Sequence, residues 1–171
     1  SSAASDVYKR QVRDSASVWH INPQDVGIMG FSAGGHLASS VSTHAEYAAR
    51  PDFSILFYPV ISMDERITHK GSCVNFLGDE RKSNPKLIEE WSNDKAVRGH
   101  LTPRAILLMS NDDNVVPPVT NGVAYYTRMH QVGNDCELHV YPTGGHGWGF
   151  RSNFKHHDQM LADLTAWLQS F

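Results

Sequence analysis

The chain is short of cysteine, of net charge and of long apolar runs, and each shortage removes a class of protein. Cys73 and Cys136 are its two cysteines. They are too few for a disulfide framework and lack the CxxC spacing of zinc or redox sites. Two separate thiols are expected, with a single disulfide as the alternative. Fifteen Lys and Arg stand against 18 Asp and Glu, a net charge of −3 without a basic patch. Nucleic acid and anionic membrane are therefore not expected partners. The longest apolar runs, 55–58 and 105–109, are far too short to cross a bilayer and read as buried strands. No phosphate-cradling loop, metal site or nucleotide fingerprint is present, so no cofactor is expected. Residues 1–10 also lack the apolar stretch of a secretory signal. The small, polar opening Ser1-Ser2-Ala3-Ala4-Ser5 reads as a leader or non-native segment covering 1–11, ahead of a single domain over 12–171.

What is there is an ordinary globular composition, 40% hydrophobic and 19% charged, in a length that suits one core. A weakly helical stretch over 6–19 ends before Asn22-Pro23, because proline disfavours helix at the residue before it. Short strands are predicted at 26–29, 53–58, 105–109 and 137–141. Helices are predicted between and after them, at about 33–45, 85–97, 119–132 and 153–169. The helix at 85 has Ser83 or Asn84 as cap and Pro85 in its first turn, and Gly133 closes the helix at 119–132. The last helix carries Met160, Leu161, Leu164, Trp167 and Leu168 on one side. The stretch from Pro59 to Gly78 reads as loop. Strands alternating with helices indicate βαβ units, hence an α/β fold with a parallel sheet and flanking helices.

Gly30-Phe31-Ser32-Ala33-Gly34 lies between a predicted strand and a predicted helix, the context a nucleophile elbow requires. So sharp a turn leaves little room for side chains beside the serine, and Gly30 and Gly34 are expected to supply that room. Ser32 would then project from the C-terminal edge of the sheet. The backbone N–H of Ala33, at the positive end of the following helix, would face a developing oxyanion. A serine hydroxyl needs a base to take its proton. Of ten histidines, His146 sits in a glycine-rich loop, Gly144-Gly145-His146-Gly147, after the last predicted strand. His36 is expected to be packed or solvated, and His156 and His157 to lie on the surface of the last helix. The base in turn needs a carboxylate to fix its tautomer. Asp112 and Asp113 follow the third predicted strand, which gives the chain order Ser, Asp, His. One of the two is a candidate acid and the other a turn former acting on local N–H groups. Trp148 and Phe150 are candidates to line an acyl or sugar site.

The segments Gly30-Phe31-Ser32-Ala33-Gly34-Gly35-His36-Leu37-Ala38, Phe57-Tyr58-Pro59-Val60, Asn75-Phe76-Leu77-Gly78, Asp113-Asn114-Val115-Val116-Pro117 and Tyr141-Pro142-Thr143-Gly144-Gly145-His146-Gly147-Trp148 together resemble bacterial carbohydrate esterases. These are the acetyl xylan esterase and feruloyl esterase-like α/β hydrolases, and the similarity runs from about Val12 to the C-terminus. The resemblance implies Ser32, Asp113 and His146 as catalytic residues, the acid being the Asp four residues before Pro117. It implies removal of acetyl or hydroxycinnamoyl groups from plant polysaccharide, with no cofactor. A small acyl ester or acylated polysaccharide would be the substrate, in the periplasm or outside the cell.

The chain departs from the family before Ser32. A second oxyanion donor usually comes from an upstream His-Gly-Gly-Gly-like loop, which is absent here, as are the family's N-terminal strands. A weak or inactive isolated chain is expected, since one lost oxyanion donor costs about 10²–10³ in kcat. Two alternatives stay open. One is a prolyl-oligopeptidase-like peptidase, although such enzymes usually carry Tyr where Ala33 stands. The other is a non-catalytic carbohydrate-binding or interaction module.

Overall fold

The computed structural model describes residues 2–171. Helices α1 (Ser2–Asp14) and α2 (Ala16–Trp19) precede the sheet. The leader expected over 1–11 begins at Ser1, outside the described residues; from Ser2 onward that stretch is α1. Arg13 ties α1 to the body, donating to Asp52 Oδ2 at 3.1 Å and to the Arg50 carbonyl at 2.8 Å. Lys9 Nζ donates to the Ala49 carbonyl.

The sheet holds four parallel strands in chain order: β1 (Ile28–Phe31), β2 (Phe53–Phe57), β3 (Arg104–Ser110) and β4 (Cys136–Tyr141). Helix α3 (Ala33–His44) links β1 to β2. Helices α4 (Lys70–Leu77), α5 (Pro85–Trp91) and α6 (Asn93–Ala96) lie between β2 and β3. Helix α7 (Ala124–Gln131) precedes β4, and α8 (His157–Leu168) closes the chain. Side chains alternate across the strands. Ile55, Phe57, Ile106 and Leu108 pack with Met160, Leu164 and Trp167 of α8. Leu56, Ala105 and Leu107 pack on the other face with Ala38 of α3 and with Tyr125 and Met129 of α7. Burial on both faces is why these strands read as continuous apolar runs. Each fully buried Leu, Ile or Phe contributes roughly 1.5–3 kcal/mol. Among the described residues, no helix is long and apolar enough to cross a membrane.

Five expectations about helices and loops need correction. The stretch read as loop before Gly78 contains α4, whose N-terminus is capped by the His69 side chain accepting from Ser72 N–H. The helix expected over 85–97 breaks at Ser92, whose hydroxyl donates to Ile88 O at 2.6 Å and accepts the Met63 N–H at 2.9 Å. That break sends Asn93 into α3, where its amide donates to Ser39 Oγ and Ser40 Oγ. The helix expected from 119 opens with a π-turn over Val119–Val123. There buried Asn121 accepts the N–H groups of Ile61 and Ser62. The last helix starts at His157 rather than 153, because Phe154 turns inward to stack on Trp148 at 4.1 Å. Leu161 and Leu168, expected on its apolar side, are exposed, while Met160, Leu164 and Trp167 are buried. Cys73 and Cys136 are free thiols.

Candidate active site

The turn from β1 into α3 is shaped by close approach. A Cβ on Gly30 would sit 2.1 Å from the Gly34 carbonyl oxygen, and one on Gly35 would sit 2.6 Å from Pro59 Cβ. A Cβ on Gly34 meets nothing within 4 Å. The pair that sterics demand is therefore Gly30 and Gly35, not Gly30 and Gly34 as the motif suggested. Ser32 itself has φ 53° and ψ −120°, a strained conformation for a residue with a side chain. It is fixed by its N–H donating to Phe57 O at 3.0 Å and by its carbonyl accepting from Val60 N–H at 3.0 Å. The Ala33 N–H opens α3, where the helix dipole presents partial positive charge.

Across the sheet's C-terminal edge the loop after β4 brings His146 to this serine. His146 Nε2 lies 2.8 Å from Ser32 Oγ, and Nδ1 lies 2.6 Å from Asp113 Oδ2. An ionised carboxylate only accepts, so Nδ1 carries the proton and donates to Asp113, leaving Nε2 to accept from the serine hydroxyl. Asp113 is 4% exposed. Its other oxygen accepts the N–H groups of Val115 and Val116, both at 2.9 Å, so both oxygens are satisfied. The local turn bonds are thus made by Asp113. Asp112, expected as the local turn former, instead reaches the His146 loop and accepts the N–H groups of Gly144 at 3.3 Å and Gly145 at 2.8 Å. Those bonds, the Gly145 one foremost, hold the Asp112 carboxyl below its usual range. Gly145 has φ 59°, a backbone that glycine adopts without strain. This geometry permits proton transfer from Ser32 to His146, with Asp113 stabilising the imidazolium that results.

Beside Ala33 a pocket of about 170 Å³ is lined by Ala33, His36, Met63, Ser72, Asn75 and Phe76. Half of that lining comes from α4, which the sequence left as loop. The one available signal was the Asn75-Phe76-Leu77-Gly78 segment, quoted above without a role. His36 forms part of the wall, 3% exposed, with Nε2–H donating to Trp91 O at 2.8 Å. Burial pushes its pKa down to about 4, so it is neutral. Neither this pocket nor a larger groove of about 510 Å³ around Asp64, Arg66 and Lys82 is lined by Ser32, Asp113 or His146; the smaller one adjoins the nucleophile through its neighbour Ala33. Trp148, expected to line a substrate site, is instead a core residue at 4% exposure. Its indole N–H donates to Ser110 Oγ at 2.8 Å. Phe150 is exposed. His156 stacks on Tyr141. Among the described residues, no cluster of three or more His, Cys, Asp or Glu is placed to hold a metal.

A family model for the α/β hydrolase fold matches residues 2–150. An acetylxylan esterase from Xylanibacter ruminicola is 62% identical over 161 residues, covering 94% of this chain and 34% of that protein. An endo-1,4-β-xylanase B from Butyrivibrio fibrisolvens is 32% identical over 151 residues, covering 81% of this chain and 23% of that protein. A crystal structure of an acetyl ester-xyloside bifunctional hydrolase from Caldicellulosiruptor lactoaceticus superposes with a TM-score of 0.89 at 31% identity. That match covers 99% of this chain and 65% of the solved one. The chain spans about a third of the length of the first relative, less than a quarter of the second and under two thirds of the solved structure.

Proposed function

The chain belongs to the α/β hydrolase fold family, and from that premise we propose that it acts as a serine esterase on acetylated plant polysaccharide. The observation that carries the reading is the continuous hydrogen-bonded series Ser32–His146–Asp113 at 2.8 and 2.6 Å. Nothing in the packing of the sheet requires those three residues together. In this reading Ser32 Oγ attacks the ester carbonyl while His146 Nε2 takes its proton, and the Ala33 N–H donates to the oxyanion. His146 then protonates the departing sugar hydroxyl, leaving the acyl group on Ser32. Water attacks that ester, giving its proton to His146, and the free acid leaves as Ser32 is restored. None of these steps needs a cofactor.

The acyl group is proposed to enter the pocket beside Ala33. A water occupies about 30 Å³, so about 170 Å³ suits an acetyl group with room to spare. The names of the relatives, an acetylxylan esterase and an acetyl ester-xyloside hydrolase, support the same choice. A polysaccharide substrate also implies work outside the cytoplasm. The test is hydrolysis of p-nitrophenyl acetate and of a methyl hydroxycinnamate, with fluorophosphonate labelling alongside. The acetate ester should be the better substrate, and Ser32→Ala should abolish both labelling and whatever hydrolysis the parent chain shows. Labelling that persists in Ser32→Ala would sink the reading.

A further inference from the structure

Among the described residues, the non-glycine positions with positive φ are His20, Ser32, Tyr58 and His100. His20 ends α2, and His100 is an exposed turn residue. The other two, Ser32 and Tyr58, both meet His146. Ser32 Oγ reaches Nε2, and the Tyr58 ring lies 4.7 Å from the imidazole centroid with the planes at 60°. A positive φ is unfavourable for a side chain as large as tyrosine and persists only where its surroundings over-determine it.

The consequence of that φ is visible in the packing. Consecutive residues along a strand point to opposite faces, yet Phe57 and Tyr58 belong to the same cluster on the α8 side. The reversal at Tyr58 turns its ring onto the His146 loop. Its N–H is held by Leu108 O at 2.8 Å, and its ring packs against Trp148 at 5.2 Å. A Cβ on Gly149 would lie 3.4 Å from the phenol oxygen, so the hydroxyl end abuts the same loop two residues beyond Trp148's neighbour Gly147. The loop is tethered on either side of the histidine, by Asp112 at Gly144 and Gly145 and by buried Trp148, but neither tether touches the imidazole ring. The bond to Asp113 fixes one end of the imidazole but leaves rotation about that axis open. A second contact is needed to aim Nε2.

We propose that Tyr58 is a positioning residue for His146, its ring confining the imidazole to the tilt in which Nε2 meets Ser32 while Nδ1 meets Asp113. This rests on reading Ser32, Asp113 and His146 as the triad. The ring, not the hydroxyl, carries the effect.

The experiment compares Tyr58→Phe with Tyr58→Leu and Tyr58→Met, each checked for folding by circular dichroism. Kinetics on p-nitrophenyl acetate are read together with the downfield proton resonance of His146 Nδ1–H. Tyr58→Phe should stay within about 3-fold of the parent kcat and keep the resonance. The two non-aromatic variants should lose about 10²-fold in kcat, the scale of a misplaced catalytic group, with KM little changed and the resonance broadened. A folded Leu or Met variant with the parent's kcat and resonance overturns the proposal, as does a loss confined to KM. Failure of both non-aromatic variants to fold while Tyr58→Phe folds also overturns it, since the ring would then serve stability alone. The resonance is also recorded in a Ser32→Ala background, where it reports on imidazole order whether or not the chain is an esterase. Residual hydrolysis by Ser32→Ala itself would count against the esterase reading and not against the positioning of His146.

Discussion

On the Ser32 side of the site the chain is shaped chiefly by exclusion, beside the backbone hydrogen bonds of Ser32 to Phe57 and Val60, whereas on the His146 side it is held by side-chain carboxylates. Gly30 leaves no space for a methyl group, Pro59 presses on Gly35, and Ser32 is locked in a conformation few side chains adopt. The His146 loop, by contrast, is permissive backbone drawn into place by two adjacent carboxylates, Asp113 on the imidazole and Asp112 on the loop N–H groups. A steric restraint has no partner to lose and answers only to volume. An electrostatic one fails when a charge or acceptor is removed. The two halves should therefore respond to different substitutions.

The largest effect is expected where attraction is removed. Asp113→Asn should lower kcat by about 10⁴, because an amide in that place no longer favours the tautomer with the proton on Nδ1. Asp112→Ala should cost only about 10-fold, since the loop loses its tether but the imidazole keeps its partner. Steady-state kinetics of both variants order the two carboxylates; equal losses would mean that the tether and the tautomer lock are not separable. The next effect tests exclusion. Gly30→Ala should destabilise the fold by about 3 kcal/mol or more, since the clash is with backbone that cannot swing away. Gly34→Ala, in open space one turn on, should be neutral or stabilising by about 0.5–1 kcal/mol. Urea unfolding of the pair decides it, and a tolerated Gly30→Ala would remove the steric half of the comparison.

This division also explains what the sequence disclosed. Strands buried on both faces announce themselves as apolar runs, and Ser32 and His146 sit among glycines whose spacing is visible locally. What stayed hidden depends on partners distant in the chain. Helix α4 is eight residues with Gly71, Ser72 and Asn75 inside it and a histidine as its cap, so neither periodicity nor capping marks it. The burial of Trp148 is set by Ser110 and Phe154, and the demand for glycine at 35 is set by Pro59. The choice between Asp112 and Asp113 came from resemblance, not from residue chemistry. Only the distances assign one carboxylate to the ring and the other to the loop.

His36 is the residue that breaks the division, because it puts an acid-sensitive group on the side otherwise held by sterics. It lies in α3, one turn beyond Ser32, and burial is the main cause of a pKa near 4 against an ordinary value of 6.5. The Trp91 carbonyl opposes that shift, and His44 adds to it. The unfolded chain binds a proton at this position below about pH 6.5, while the folded chain does not until about pH 4. Between those values the unfolded state holds more protons, so stability rises with pH and falls on acidification. The stabilisation is whole above about pH 6.5 and is lost as pH drops toward 4, on the order of 3 kcal/mol across the window. Urea unfolding of the parent and of His36→Gln at pH 7, 5.5 and 4.5 measures it. The parent should lose stability more steeply than the variant, by up to one proton's worth of slope. Parallel pH dependences would show that α3 carries no titrating liability, and the nucleophile's half of the site would again be governed by volume alone.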